Sequence, residues 1–138
     1  MKKEKSCGFI LFTHVNNEIK YLLVKSIYDA IGFPKGHMEN NETELETAFR
    51  ETKEEVNIVP TKINDFRVTN SYVLPDFNID KTVVYFLGEY YNPTIICEPL
   101  EIKETIECTY LEALNLLHIE DLKNILKEAN EYIKKMHL

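Results

Sequence analysis

The chain has 138 residues, 44% of them hydrophobic, with no low-complexity tract, which predicts one domain, residues 1–138, around one substantial core. A net charge of −7 argues against a general nucleic-acid or membrane surface, but not against a polyanionic small molecule whose charge metal ions screen. No long apolar run follows Met1-Lys2-Lys3-Glu4-Lys5 and none approaches membrane-spanning length, while Cys7, Cys97 and Cys108 form no Cys-x-x-Cys pair, so a cytoplasmic protein with reduced, packed cysteines is expected.

Taken in chain order, Cys7–Thr13 is an apolar strand, and Val15-Asn16-Asn17-Glu18 turns it back onto Ile19–Lys25 as a hairpin. Ser26–Lys35 reads as a loop ending in a Gly turn, Phe33-Pro34-Lys35-Gly36-His37. A helix is predicted over Thr43–Val56. Ile63–Leu74 is a strand, Pro75–Asp80 breaks it, and Lys81–Tyr91 is a second long strand rich in β-formers. Asn92-Pro93 turns the chain, Thr105–Leu111 is a shorter strand, and Ile119, Leu122, Ile125, Leu126, Ala129 and Ile133 make a helical stripe near the end. The order is α+β, with no internal repeat and no linker.

The helix over Thr43–Val56 carries the chemistry. Thr43 and Glu46 fit a capping box, and Asn57 suits a left-handed C-cap. Leu45, Ala48, Phe49, Thr52 and Val56 form an apolar stripe at helical spacing, with the Thr52 hydroxyl expected to bond back to the preceding turn. Glu44, Glu51 and Glu55 project together away from that stripe, and Glu54 lies just beyond them. Carboxylates this close repel one another unless a positive charge offsets the cost. A hard divalent cation bound through oxygen would do so; a plain solvated acidic face is the other reading of the same spacing.

The wider pattern resembles the signature of the Nudix hydrolases over residues 36–58. It runs Gly36, Glu42, Arg50-Glu51, Glu54-Glu55, then Asn57 where the signature has Gly, and the aliphatic Ile58. Thr52, in place of an aliphatic residue, is the second departure. Phe33-Pro34-Lys35-Gly36-His37-Met38-Glu39, the strand Lys81-Thr82-Val83-Val84-Tyr85-Phe86 and Cys7-Gly8-Phe9-Ile10 further resemble the asymmetrical diadenosine tetraphosphate hydrolases. That subgroup carries an aromatic or His residue shortly before the Pro-Lys-Gly run, where this chain has Tyr28-Asp29-Ala30-Ile31-Gly32.

The resemblance implies an α/β/α sandwich around a mixed sheet, and magnesium or manganese held by Glu51, Glu54 and Glu55. It implies Glu104 as an accessory ligand or general base, with Glu51 the other candidate base. Arg50 would orient a motif glutamate, or act as an i,i+4 partner of Glu54. Gly36 would let the backbone approach the metals. Lys35 and Lys81 would meet phosphate as point charges, His37 phosphate or water, and Tyr85 a base or phosphate, with Tyr72 and Tyr110 as further stacking candidates. The implied reaction is hydrolysis of diadenosine tetraphosphate to ATP and AMP, by a monomer or homodimer. A Nudix enzyme of a nucleoside triphosphate, ADP-ribose or a capped RNA end uses the same site, and a non-catalytic nucleotide-binding module of this fold is the third possibility.

Overall fold

A computed structural model describes residues 1–138. The elements run β1 (Lys2–Val15), β2 (Glu18–Ser26), β3 (Ile31–Gly32), β4 (Lys35–His37), α1 (Glu44–Val56), β5 (Thr61–Leu74), β6 (Ile79–Glu89), β7 (Ile102–Thr109), α2 (Tyr110–Leu116) and α3 (Glu120–Lys135), with a single 3-10 turn over Pro75–Phe77. The strands form one mixed sheet in the order β3-β2-β1-β6-β5, with β4 paired to β1 and β7 paired to β2. β1 and β6 run parallel, and the other pairings are antiparallel.

β1 and β6 are buried on both faces, which is why both read as near-continuous apolar runs. Alternation along the strands sends Cys7, Phe9, Leu11, Val84 and Phe86 to one side, where Ala48 and Val56 of α1 meet them. Ile10, Phe12, Val83, Tyr85 and Leu87 go to the other side, against Leu122, Ile125, Leu126, Ala129 and Ile133 of α3. The result is an α/β/α sandwich. No helix is long and apolar enough to cross a membrane.

Several predicted boundaries shift. The segment read as a loop up to Lys35 contains two short strands, and Gly36 lies within β4, in register with Cys7, rather than in a turn. The strand expected over Thr105–Leu111 stops at Thr109, where a capping box with Glu112 opens α2. That Thr-x-x-Glu pattern was the available signal, and it outweighs the β-propensity of Tyr110.

The chain has four glycines and places none of them at positive φ. Asn takes seven of the nine left-handed positions instead, among them the Asn16-Asn17 hairpin turn and Asn57 after α1.

Candidate active site

α1 begins and ends as its sequence predicts. The Thr43 side chain accepts from the Glu46 N–H, the Glu46 carboxylate accepts from the Thr43 N–H, and Asn57 closes the helix at φ 62°, ψ 38° with its N–H donated to the Lys53 carbonyl. The helix then sits with one turn against β4. A Cβ on Gly36 would lie 1.9 Å from Glu51 Oε2, so the bare backbone of β4 and the Glu51 carboxylate occupy touching space. Gly36 is there for close approach and not for a left-handed turn. Gly8 plays the matching part in β1: a Cβ there would lie 2.0 Å from the Pro34 carbonyl, which fixes how closely the Pro34-Lys35-Gly36 segment lies on the sheet.

Arg50 organises the acidic face. Its Nε and Nη2 fork the Glu42 carboxylate at 2.6 and 3.0 Å, and Nη1 donates to Glu51 at 2.7 Å. Nη1 also reaches Glu54 at 3.3 Å, and Nη2 donates to the His37 carbonyl at 2.9 Å. Both sequence readings of Arg50 are therefore present at once. The guanidinium holds the Glu42 carboxyl down to about 2. Glu42 in turn accepts from Thr47 and from the Glu39 N–H, tying the loop to the helix.

Carboxylate oxygens of Glu51, Glu55 and Glu101 all lie within 4.8 Å of one another. Glu55 is only 6% exposed, and its carboxylate accepts one hydrogen bond, a 3.3 Å contact from the Lys35 N–H. Burial, with the charges of Glu51 and Glu101 beside it, pushes its carboxyl up to about 8. Burial also raises Glu51, and Arg50 opposes the rise. A buried carboxylate facing two more, without a cation among them, is an electrostatic deficit. Three converging oxygen donors match what a hard divalent cation takes. The residues present therefore fit such an ion on their own geometry.

Two of the three border a cleft of about 570 Å³, within the range of small-molecule sites. Glu55 and Glu101 lie on its wall with Lys35, Phe33, Tyr72 and Tyr85, and Ile27, Tyr28 and Leu100 supply an apolar rim. A NUDIX domain model matches residues 8–133. The chain belongs to the Nudix family. It is 31% identical to the asymmetrical bis(5'-nucleosyl)-tetraphosphatase of Sus scrofa over 96% of this chain and 97% of the relative. The Mus musculus enzyme of the same description is also 31% identical, over 94% and 95%. Among solved structures, a C. elegans Ap4A hydrolase binary complex superposes with a TM-score of 0.88 at 25% identity, covering 96% of this chain and 98% of that one. The chain is accordingly a Nudix phosphoanhydride hydrolase acting on small nucleotide substrates.

In this Nudix hydrolase the sequence-predicted site residues separate. Glu51 and Glu55 converge; Glu54 does not, its carboxylate being 56% exposed and turned to Arg50. Glu44, expected to project with Glu51 and Glu55, is instead held by Arg67 and Lys5. Glu104 is exposed on β7 in register with Lys25, outside the group, and Glu101 is the group's third member. Three residues of strand separate the two positions by about 10 Å. Glu101 ends the loop before β7, next to the Pro99 break. That loop position was the only sequence signal for it.

Lys81 is 5% exposed and donates to Ser6 Oγ at 2.7 Å, with burial and the Lys35 charge lowering its pKa. It lies outside the lining of the main cleft. His37 stands at the exposed end of β4, lowered by partial burial of its ring and by Lys81. Tyr85 reaches the cleft wall but is 1% exposed and packs edge-on against Phe33 at 5.4 Å, so its ring faces are occupied by the core. Tyr72 is partly exposed on the same wall, while Tyr110 packs near Tyr21 on α2, away from the cleft. Thr52 is fully buried and its hydroxyl has no hydrogen-bond partner, against the expectation that it bonds back along the helix.

Proposed function

We propose that this Nudix enzyme hydrolyses a dinucleoside polyphosphate, diadenosine tetraphosphate to ATP and AMP, with magnesium or manganese. The observation that carries the reading is the convergence of Glu51 with Glu55 and Glu101, the latter two on the wall of a cleft that is apolar at its rim and carries Lys35 beside the carboxylates. The description of the Sus scrofa and Mus musculus relatives supports the substrate.

Glu51, Glu55 and Glu101 would hold the cation, which when bound neutralises charge on phosphate oxygens and lowers the pKa of a water. Arg50 points Glu51 through its 2.7 Å hydrogen bond, and Glu42 and Glu54 hold Arg50 from either side. Lys35, at the cleft, meets the polyphosphate as a point charge. The base that takes the water's proton is drawn from the same three carboxylates. Water oxygen bonds to phosphorus, the bridging P–O bond breaks, and the leaving nucleotide departs with that oxygen. Tyr28 and Tyr72 offer ring faces to a nucleobase at the cleft. Three free cysteines, two of them buried, suit the cytoplasm.

Chromatographic product analysis on diadenosine tetraphosphate tests the reading, with magnesium present and then chelated. Magnesium-dependent ATP plus AMP is the expected result. Absence of cleavage, with turnover of a nucleoside triphosphate or ADP-ribose instead, would refute the substrate.

A further inference from the structure

We propose that Asn57 is a positioning residue: its side chain fixes the loop that delivers Glu101 to the helix-borne carboxylates. The inference rests on the reading of Glu101 as a cation ligand.

Asn57 stands where the Nudix signature has Gly, and the backbone needs no side chain at that point, since a left-handed cap is most easily made by Gly. The side chain nevertheless has a defined job on both ends. Its Oδ1 accepts from Lys53 Nζ at 3.0 Å, and its Nδ2 donates to the Thr94 carbonyl at 2.8 Å. A cation on one end and a carbonyl on the other leave one amide orientation that satisfies both.

Thr94 opens a strap laid across the end of α1. The last carbonyls of a helix have no partner within it. Here the Ile96 N–H donates to the Val56 carbonyl at 3.2 Å and the Glu98 N–H to the Glu55 carbonyl at 3.0 Å. Glu98 then builds the turn that carries Glu101. Its carbonyl accepts from the Glu101 N–H at 3.1 Å and the Ile102 N–H at 2.8 Å, and its carboxylate accepts from the Leu100 N–H at 3.0 Å. The path from Asn57 to Glu101 is therefore a chain of hydrogen bonds, all anchored on the helix that holds Glu51 and Glu55. With Gly at position 57 the backbone cap survives, and the strap loses its first attachment.

The test uses the full chain and its Asn57→Gly and Glu101→Gln variants, measured by calorimetric titration with Mn²⁺ and by backbone hydrogen exchange. Asn57→Gly is expected to raise the Mn²⁺ dissociation constant roughly three- to tenfold, the worth of about one hydrogen bond. Exchange should quicken selectively at Glu98, Glu101 and Ile102 while the β1 and β6 amides keep their rates. An unchanged dissociation constant, or faster exchange spread evenly over the sheet, would overturn the proposal. Unaltered Mn²⁺ binding in Glu101→Gln would overturn the ligand assignment beneath it, whatever Asn57→Gly does, and so separates the two failures.

Discussion

Replacing Gly36 by Ala asks the most of the site with the fewest atoms. The new Cβ would lie 1.9 Å from Glu51 Oε2 and 2.0 Å from its Cδ. An ordinary contact needs about 3.5 Å, so one partner must retreat by roughly 1.5 Å. β4 cannot be that partner at low cost, because Lys35, Gly36 and His37 are in register with Gly8, Cys7 and Ser6 of the central strand. The Glu51 carboxylate gives way, leaving both Arg50 Nη1 and the oxygens of Glu55 and Glu101. A misplacement of about 1 Å in a positioned catalytic group is worth on the order of 100-fold. We expect kcat/KM on diadenosine tetraphosphate to fall by about that factor, which is ~2.7 kcal/mol in the barrier. The melting temperature should move by only a few degrees, since the apolar core is untouched. Steady-state kinetics and thermal denaturation on the same sample decide it. Activity within threefold of the parent chain would refute the reasoning, because the carboxylate would then have had room to spare.

Other perturbations read other parts of the structure. Thr52→Val removes a fully buried hydroxyl that has no partner. It should stabilise the fold by about 1–2 kcal/mol, or roughly 3–5 °C in melting temperature per kcal/mol, with turnover unchanged; a lower melting temperature would show that the hydroxyl is satisfied after all. Arg50→Lys keeps a charge but loses the fork that grips Glu42 while reaching Glu51, so it should cost about tenfold or more in kcat with magnesium saturating; full activity would mean charge alone suffices. Glu44, paired with Arg67 and Lys5, has its carboxyl lowered to about 2. A lowered carboxyl stabilises the fold above its unfolded value and loses that contribution as pH falls through the folded one. Glu44→Gln should therefore flatten the stability curve between about pH 4.5 and pH 2, by ~1 kcal/mol because the pair is partly in water. An unaltered acid limb in chemical denaturation would contradict the pairing.

What was legible in the sequence was what local rules decide. The capping box at Thr43, the cap at Asn57, the apolar stripe and the sharing of one face by Glu51 and Glu55 depend on residues within a turn or two of each other. The buried strands were legible through their unbroken apolar runs. The third carboxylate of the cluster, Glu101, was not, because it arrives from a segment almost fifty positions away through a loop whose geometry depends on the Glu55, Val56 and Asn57 contacts. Nor could spacing tell Glu54 from Glu55. One residue is a turn of about 100°, and that angle puts Glu54 out beside Arg50 and Glu55 against β4, where burial changes its chemistry. Glu44 went astray for a similar reason: its face of the helix is right, but Arg67 comes from β5 to claim it.

The most direct test of the site compares Glu101→Gln with Glu104→Gln in a magnesium activation curve. Glu101→Gln should lose two or more orders of magnitude in turnover, or require far more magnesium, while Glu104→Gln follows the parent curve. A silent Glu101→Gln beside a crippled Glu104→Gln would contradict the assignment of the trio.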